Sequence, residues 1–294
     1  MKAIELFKKK RVFSFEVFPP KPTTPIDSIY QTLDALNGLA PDFISVTYGA
    51  GGSVPGASTA EICEHIQKKN GVLSIAHLPG INETKESVLA KLEEFKARGI
   101  ENILALRGDR NPNVEPKNDF HYASDLVAFI REHGDFDICG GCYPEGHPEA
   151  TDLVSDIHHL KEKVDAGVSH LISQLFFNNR DFYHFQEKLA IAGVNVPVEA
   201  GIMPITNKNS IERMVSLCGA SIPPRLAKLL SRYGDDPQSL KAAGLEYAIE
   251  QILDLYANGV DGVHIYTMNN ADVARYLTEA VRDGVDGVDA ARRF

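Results

Sequence analysis

The sequence predicts an α/β protein, specifically a (β/α)8 TIM barrel with extra helices before the last strand. Short runs rich in β-branched and aromatic residues alternate along the chain with longer segments of helical periodicity. About eight such units follow one another, which is the number that closes a barrel. The 294 residues contain no composition shift and no Pro/Gly/Ser-rich linker, so we interpret residues 1–294 as a single catalytic domain.

The predicted strands share a short length and an apolar, β-branched composition. They are Val12–Phe18, Phe43–Tyr48, Val72–His77, Asn102–Arg107, Asp137–Tyr143, His170–Phe177, Val198–Met203 and Gly262–Thr267. Helical spacing of apolar residues marks Ile26–Leu39, Thr84–Arg98 and Leu153–Ala166 between them. The stretch from Ile222 to Asn258 is longer than one connection requires, and we assign it to the extra helices. Because strand order is not visible in a sequence, a flavodoxin-like or Rossmann sheet is the structural alternative.

Composition restricts the function to small-molecule chemistry. The 30 Lys and Arg residues against 40 Asp and Glu give a net charge of -10, whereas nucleic acid and anionic lipid attract basic surfaces. The longest uncharged stretch, Phe43–Ala60, is interrupted by Gly and Pro and does not suit a membrane helix. The N-terminus lacks the apolar region of a signal peptide, and 4 cysteines are too few for a disulfide scaffold. We therefore expect a cytoplasmic enzyme.

Polar residues occupy the ends of most predicted strands. They are Glu16, Thr47, Tyr48, His77, Arg107, Asp109, Tyr143, His147, Gln174 and Tyr266. Barrel enzymes carry their chemistry on the loops at the C-terminal ends of the strands. Core packing alone does not require such side chains there, so the pattern predicts a ligand pocket.

Glu16 is the candidate general acid. The alternation of the first strand places Ser14 and Glu16 on one face. If that face is the barrel interior, desolvation raises the pKa of Glu16 and lets it donate a proton near neutral pH. The alternative is an ion pair of Glu16 with Lys21 or Arg11 at the rim.

Several other barrel chemistries lack their signatures. The first strand has no His-x-His metal motif, so no metal site is predicted. The loops after strands seven and eight are not Gly-rich, which disfavours sugar-phosphate substrates. The run GAGG at Gly49–Gly52 does not continue into G-x-G-x-x-G, so a dinucleotide would bind in another mode.

Two further motifs allow two interpretations each. Cys139 and Cys142 form a C-x-x-C sequence, but residues three apart in a strand point to opposite faces, which favours packing over redox chemistry. Asp156 and Lys163 share one flank of a predicted helix. That flank could contact a ribose and a phosphate, or it could be a solvated charged face.

An ordered set of motifs resembles the methylenetetrahydrofolate reductase family, in its short bacterial form that consists of the catalytic barrel only. The motifs are FEVFPP at Phe15–Pro20, VTYGAGGS at Val46–Ser53, AHL at Ala76–Leu78, LRGD at Leu106–Asp109, YASDL at Tyr122–Leu126, YPEGHPEA at Tyr143–Ala150 and QLFF at Gln174–Phe177. The resemblance runs in the family's order from about Val12 to Thr267.

The resemblance implies a flavoprotein that uses FAD to reduce 5,10-methylenetetrahydrofolate to 5-methyltetrahydrofolate, in the one-carbon metabolism that supplies methyl groups for methionine. NADH or NADPH would reduce the flavin and leave, and the folate would then take the hydride in an overlapping site. The family's general acid falls on Glu16, which would protonate folate N10 and open the five-membered ring to a 5-iminium cation. Asp109 corresponds to an acidic residue that the family places between the flavin and the pterin, where its negative charge favours that cation.

The resemblance also assigns ligand contacts. Flavin contacts fall on Tyr48, Ala50, His77, Arg107, Gly108, Asp109, Tyr122, Ala123, Tyr143, His147, Ala150, Asp156 and Lys163. Substrate contacts fall on Thr47, Asp109 and Gln174, with Thr47 on the nicotinamide side and Gln174 shared by nicotinamide and folate. The resemblance thereby favours the ribose and phosphate interpretation of the helix flank that carries Asp156 and Lys163.

The chain departs from the family pattern at several positions. Asn270 replaces an Arg of well-studied bacterial members, Met214 an aromatic residue and Ser210 a nearby Gln, while His159 and Glu162 replace Asn and Arg on the flavin helix. Loss of an Arg removes a bidentate cation. These departures leave open whether NADH, NADPH or an electron-transfer partner subunit is the direct donor.

Two other functions compete with the folate reductase. The first is a different FAD-dependent barrel oxidoreductase of the proline dehydrogenase type, which would not need Glu16 as an acid. The second is a folate-reductase subunit of a multi-subunit redox complex that does not use NADH directly. For the reductase itself we expect a homo-oligomer with no nucleic-acid or membrane partner.

Overall fold

The computed structural model describes residues 1–21, 23–48, 58–110 and 115–286, with the backbone alone for 283–286. Its strands are β1 (Val12–Val17), β2 (Phe43–Val46), β3 (Leu73–Pro79), β4 (Asn102–Leu106), β5 (Asp137–Cys142), β6 (His170–Ser173), β7 (Val198–Ile202) and β8 (Gly262–Tyr266). All neighbours pair in parallel, and β8 pairs with β1 to close the barrel. The predicted TIM barrel is confirmed, and the open-sheet alternative is wrong.

The helices lie on the outside of the barrel. They are α1 (Ile4–Phe7), α2 (Asp27–Asn37), α3 (Thr59–His65) with a π-helical turn (Ile66–Asn70), α4 (Lys85–Ala97), α5 (Ala123–His133), α6 (Leu153–Asp165), α7 (Asn179–Ile191), α8 (Lys208–Cys218), α9 (Pro224–Tyr233), α10 (Pro237–Ala257) and α11 (Ala271–Asp286). The extra helices predicted between Ile222 and Asn258 are α9 and α10. Several helices begin at side-chain caps, for example Thr84 on α4, Asp152 on α6 and Asn207 on α8.

The predicted sixth strand is too long. The observed strand β6 ends at Ser173. The residues Leu175 and Phe177, which were predicted to continue the strand, instead pack into a second apolar cluster with α8, α9 and α10. A continuous apolar run does not by itself show where a strand stops, because a buried loop has the same composition. The consequence for the site is a helical wall beside the C-terminal ends of β6 and β7.

The N-terminal end of the barrel is closed by α1, a helix that the sequence analysis did not predict. The Ala3 N–H donates to Asn102 Oδ1 at 2.8 Å, and the Ile4 N–H donates to Asp137 Oδ2 at 2.8 Å. The Phe7 ring lies 5.0 Å from the ring of His170, which is fully buried. Above this helix, an apolar layer of inward-facing side chains fills the barrel. It contains Val12, Phe43, Ile75, Leu104, Cys139 and Ile172.

The two cysteines of the C-x-x-C sequence lie on opposite sides of β5. Cys139 belongs to the apolar layer inside the barrel, and Cys142 belongs to the core between the strands and the outer helices. Both are buried and free, and burial raises the pKa of the Cys142 thiol to about 12. The packing interpretation is confirmed.

Within the described residues, no helix combines the length and the apolar character that a bilayer span requires.

Position 201 requires a glycine because neighbouring atoms inside the barrel lie close to its Cα atom. A Cβ atom on Gly201 would lie 2.2 Å from the Ser173 carbonyl oxygen and 2.8 Å from the Tyr266 hydroxyl oxygen. We expect Gly201→Ala to lower the free energy of unfolding by about 1–3 kcal/mol, because backbone and ring must both shift. Urea denaturation measures this change.

Gly38→Ala is the matched control for this substitution. Gly38 has a φ of -62°, and its added Cβ would meet only the Ala35 carbonyl oxygen, at 3.9 Å. The Gly38→Ala variant should therefore be as stable as the unchanged protein or slightly more stable. Equal stability of Gly201→Ala and Gly38→Ala would contradict the steric argument.

Candidate active site

Glu16 lies at the C-terminal end of β1 and points into the barrel. Its Oε2 atom is 3.7 Å from His77 Nε2 and 3.9 Å from His264 Nε2, and its side chain is 20% exposed. Ser14 is on the same inward face, as the alternation predicted. Arg11 lies near the opposite end, where its guanidinium donates to the Tyr256 and Val260 carbonyl oxygens. Among the described residues, the basic groups paired with Glu16 are these two imidazoles rather than Lys21 or Arg11.

His77 presents a neutral imidazole to Glu16 near neutral pH. Burial lowers the pKa of His77 to about 4, while the Glu16 carboxylate acts in the opposite direction and does not overcome it. In the described part of the chain, His77 Nε2 has no hydrogen-bond partner. A buried polar atom without a partner is costly, so this nitrogen is free to bind a ligand atom at the C-terminal end of the barrel.

A buried polar network continues below Glu16. Ser14 Oγ lies 2.6 Å from His264 Nδ1 and donates to Glu199 Oε1 at 2.7 Å, and Ser45 Oγ lies 3.3 Å from His264 Nε2. Ser14, Ser45, His264 and Glu199 are all fully buried. Glu199 and His264 were not predicted as site residues from the sequence. An ionisable residue at an inward position of an apolar strand was the signal for both.

The loop after β8 forms hydrogen bonds with the C-terminal end of β1. Thr267 Oγ1 donates to the Glu16 carbonyl oxygen at 2.6 Å, and the Asn269 side-chain amide bonds both the N–H and the carbonyl of Phe18, at 3.0 and 2.8 Å. Asn269 adopts a left-handed backbone with a φ of 55°, which Asn tolerates better than most residues. These contacts hold the backbone that carries the Glu16 carboxyl group.

The β4 end carries the LRGD turn. Arg107 forms a bidentate ion pair with Glu149, at 2.8 Å from Nη1 and 2.6 Å from Nη2, and this pair raises the pKa of the guanidinium. Gly108 has a φ of 87°, and a Cβ there would lie 2.9 Å from Pro79 Cβ, so a glycine is required. The neighbouring Asp109 is exposed. The turn therefore presents a carboxylate at the rim and a cation that already has one partner.

The β5 end and α6 hold a second group of predicted residues. The rings of Tyr143 and His147 are 4.6 Å apart, and burial raises the pKa of Tyr143 to about 12. The His147 N–H donates to Asp156 Oδ2 at 3.2 Å, and Lys163 Nζ donates to the Gly141 carbonyl. Burial lowers the pKa of Lys163. The fold thus brings Asp156 and Lys163 against the β5 end, which argues against a purely solvated flank.

Ala150 completes the β5 loop, where its N–H donates to the His147 carbonyl at 2.9 Å.

The start of α5 adds an exposed aromatic ring to this side. Tyr122 is 61% exposed and lies 6.1 Å, ring to ring, from His159 on α6, with interplanar angle 24°. Ala123 begins α5, and Leu153 and Val154 at the start of α6 are also exposed. Apolar and aromatic surface of this kind, next to the polar β4 and β5 ends, is typical of a ligand site.

The remaining predicted residues lie at the ends of β2 and β6. Thr47 follows β2 and is half-buried, and the Tyr48 hydroxyl donates to Glu83 Oε1 at 3.3 Å. Gln174 follows β6, where its Oε1 accepts the Leu175 N–H at 2.8 Å. Ala50 lies outside the described residues.

Comparison with known proteins agrees with the resemblance of the motifs. A family model described as methylenetetrahydrofolate reductase matches residues 1–282. The chain belongs to this family. The 5,10-methylenetetrahydrofolate reductase of Escherichia coli (strain K12) is 34% identical over 275 residues, which cover 92% of each chain. The enzyme of Pectobacterium carotovorum subsp. carotovorum is 33% identical over 261 residues, 89% of this chain and 87% of the relative.

A longer relative matches over part of its length. Methylenetetrahydrofolate reductase (NADH) 1 of Arabidopsis thaliana is 36% identical over 289 residues, 92% of this chain but 49% of the plant protein. A solved structure of an uncharacterized protein from Clostridium thermocellum, described as binding two copies of 5-methyl-5,6,7,8-tetrahydrofolic acid, has TM-score 0.59 at 15% identity. The match covers 97% of this chain and 98% of that chain. At this identity the similarity supports the barrel fold alone.

The departures from the family pattern have local structural roles. The Asn270 side chain accepts the Val273 N–H at 3.1 Å and so caps α11. Met214 packs against the second apolar cluster, and the Ser210 N–H donates to Asn207 Oδ1 at 3.0 Å. The His159 ring lies beside Tyr122, and Glu162 is exposed on α6.

The low pKa of His77 predicts a contribution to acid sensitivity. His77 stays neutral in the folded protein, whereas the same histidine in the unfolded chain takes up a proton below its ordinary pKa of 6.5. The folded state is therefore favoured more strongly above pH 6.5 than below it. That stability is lost as the pH falls from 6.5 towards 4. One pH unit of pKa difference is worth roughly 1.4 kcal/mol, so the loss approaches about 3 kcal/mol. We expect His77→Asn to lose less unfolding free energy than the unchanged protein over this range.

Chemical denaturation at several pH values measures this effect. His184→Asn, on the exposed surface of α7, is the control and should follow the unchanged protein. If the His77→Asn and His184→Asn curves have the same pH dependence, the assignment of a neutral buried His77 is wrong.

Proposed function

We propose that this protein reduces 5,10-methylenetetrahydrofolate to 5-methyltetrahydrofolate with FAD as its cofactor. Membership of the reductase family supports the reaction. The observation that carries the proposal is the Glu16 carboxyl group, which faces the unpartnered Nε2 of buried His77 at 3.7 Å at the C-terminal end of the barrel. This is an acid beside a free hydrogen-bonding group in a partly desolvated pocket, as proton donation to a bound substrate requires.

The residues on the β3, β4 and β5 side fit a flavin dinucleotide. When bound, FAD would supply the two-electron chemistry. His77, the Arg107–Asp109 turn and Tyr143 line neighbouring strand ends, where an isoalloxazine ring would lie. Gly108 keeps the backbone of that turn open to close approach.

The rest of the dinucleotide would extend along the exposed start of α5 and α6. Tyr122 and Ala123, with Leu153 beside them, offer an apolar surface for an adenine. His147, Ala150, Asp156 and Lys163 would contact the ribose and phosphate groups, and Tyr48 would contact the flavin from the β2 side. Lys163 supplies a positive charge there, although its Nζ is bonded to the Gly141 carbonyl.

The chain's own groups account for the chemistry on the folate. Glu16 donates a proton to N10, and its position beside neutral His77 keeps a second positive charge away from the 5-iminium cation that forms. The Asp109 carboxylate at the rim stabilises that cation and accepts hydrogen bonds from the pterin amino edge. Gln174 and Thr47 orient the substrates from the β6 and β2 ends.

The flavin assignment predicts a yellow protein. Purified protein should show a bound flavin in its visible absorption, and anaerobic NADH or NADPH should bleach it. Bleaching by one nucleotide would identify the direct donor. A yellow protein that neither nucleotide bleaches would point to an electron-transfer partner subunit, as the departures at Asn270 and Met214 allow. Colourless protein that binds no added flavin would refute the cofactor.

Glu16→Gln tests the acid. The variant should be reduced by its donor at an unchanged rate but should lose folate reduction by about 100-fold or more, because only the second half-reaction needs a proton donor. Stopped-flow measurement of the two half-reactions separates these steps. Glu187→Gln, an exposed change on α7, is the control. Unimpaired folate reduction in Glu16→Gln would assign the acid to another group and favour a barrel oxidoreductase of another type.

A further inference from the structure

Glu199 is a buried carboxyl group that the proposed mechanism does not use. Its side chain, on β7, is fully buried, and its Oε2 atom has no hydrogen-bond partner in the described part of the chain. Its Oε1 atom bonds Ser14 Oγ at 2.7 Å. Among the described residues it forms no ion pair. A buried charge without a cation is strongly disfavoured, so this environment favours the neutral acid.

The charges around Glu199 act in the same direction. Burial is the main cause that raises the pKa of Glu199 to about 8; the hydrogen bond from Ser14 opposes this shift, and the acidic groups of Asp42 and Asp261 contribute to it. The Glu199 charge also acts on the Cys139 thiol of β5. His170 lies on β6, two residues before Ile172, which is paired with Glu199. Glu199 therefore carries a proton near neutral pH.

A hydrogen-bonded path leads from Glu199 to Glu16. Ser14 Oγ is 2.7 Å from Glu199 Oε1 and 2.6 Å from His264 Nδ1. On the other side of the ring, His264 Nε2 is 3.9 Å from Glu16 Oε2. This last separation is longer than a hydrogen bond, so the transfer requires the partly exposed Glu16 side chain to move closer to the ring. The Glu199 side chain itself has no exposed surface, so it does not contact solvent directly.

We propose that Glu199 stores a proton and resupplies Glu16 through Ser14 and His264. The proposal rests on the role of Glu16 as the acid of the proposed function. It gives Glu199 the role of a proton-relay residue that acts through Glu16 and does not contact substrate. Through this path Glu16 would regain its proton from inside the barrel while bound ligands cover the C-terminal end.

The transfer balances as three linked proton shifts. For the transfer, the Ser14 hydroxyl turns so that it donates to His264 Nδ1 instead of Glu199 Oε1. Glu199 then gives its proton to Ser14 Oγ, the Ser14 hydroxyl gives its own proton to His264 Nδ1, and His264 Nε2 gives its proton to the Glu16 carboxylate. At the end Glu16 is neutral, Glu199 is anionic, and Ser14 and His264 are unchanged in charge, with the imidazole in its other tautomer. When the C-terminal end opens to water, Glu16 takes up a proton from solvent, and the same shifts in reverse pass it to Glu199.

Glu199→Gln tests the proposal because glutamine has nearly the same shape but cannot release a proton. Each protein is reduced and mixed with methylenetetrahydrofolate, and flavin oxidation is followed at several pH values over repeated turnovers. We expect the first turnover to keep its rate, because its proton comes from Glu16 itself and the path from Glu199 is needed only to resupply it. Later turnovers should slow by about tenfold above neutral pH, as expected when a general acid is recharged slowly. Glu187→Gln is the control and should follow the unchanged protein.

Ser14→Ala interrupts the same path at its centre. The single variants should each slow later turnovers, and the double variant should be no slower than Ser14→Ala alone, because both changes break one route. Additive losses, or a pH profile of Glu199→Gln identical to that of the unchanged protein, would overturn the relay. Thermal unfolding and flavin content of every variant exclude an effect of misfolding.

Infrared spectroscopy gives a measurement that does not depend on turnover. Near neutral pH the resting protein should show the carbonyl band of a protonated buried carboxylic acid, shifted in D2O and missing in Glu199→Gln. Absence of that band would overturn the proton store even if the protein is an active folate reductase. If the unchanged protein shows the band but never oxidises reduced flavin with methylenetetrahydrofolate, the proposed function fails, and the relay fails with it.

Discussion

The hydroxyl group of Ser14 holds together the polar interior on which the proposed chemistry depends. It lies between the Glu199 carboxyl group and the His264 imidazole, at 2.7 and 2.6 Å, in a space closed to solvent. Buried polar groups are tolerated only when they bond one another, and each bond in such a network is stronger than it would be in water. The strands β1, β7 and β8 therefore have to meet in one register, which the parallel pairs of the barrel supply.

This interior network is placed directly beneath the candidate acid. Glu16 is two residues beyond Ser14 on the same inward face, and its backbone is held by Thr267 from the β8 loop. His77 approaches from β3 and stays neutral because it is buried. The position of the acid is thus determined by three strands that are far apart in the chain. The neutral His77 adds no positive charge beside the acid, which suits a reaction that generates a cation on the substrate.

An acidic protein that binds anionic ligands has to meet their charge locally. With a net charge of -10, the overall field repels phosphates and carboxylates. Arg107 and Lys163 lie on the side assigned to the flavin, yet Arg107 already pairs with Glu149 and Lys163 donates to the Gly141 carbonyl. A ligand phosphate that bound either cation would exchange with these partners, so its net gain would be smaller than that of a free cation.

The barrel and the location of most candidate residues at the strand ends could be predicted because their signals are local. Strand composition, helical spacing and polar strand ends are properties of short segments, and they identified all eight strands and placed Glu16, His77 and Arg107 at the correct end. The end of β6 was not predicted, because apolar residues such as Leu175 and Phe177 are equally compatible with a strand and with a loop that packs against helices. The short α1 was missed because only its contacts with Asn102 and Asp137 stabilise it.

The fold class, the family and the chemical character of each strand end could be read from the sequence, since these follow from residue types and their order. Which buried polar side chains contact one another depends on the tertiary structure alone. Glu199 and His264 are 65 positions apart in the chain, and nothing in either segment shows that Ser14 joins them. Closure of the barrel brings their inward positions together, and exclusion of water then makes their hydrogen bonds depend on one another.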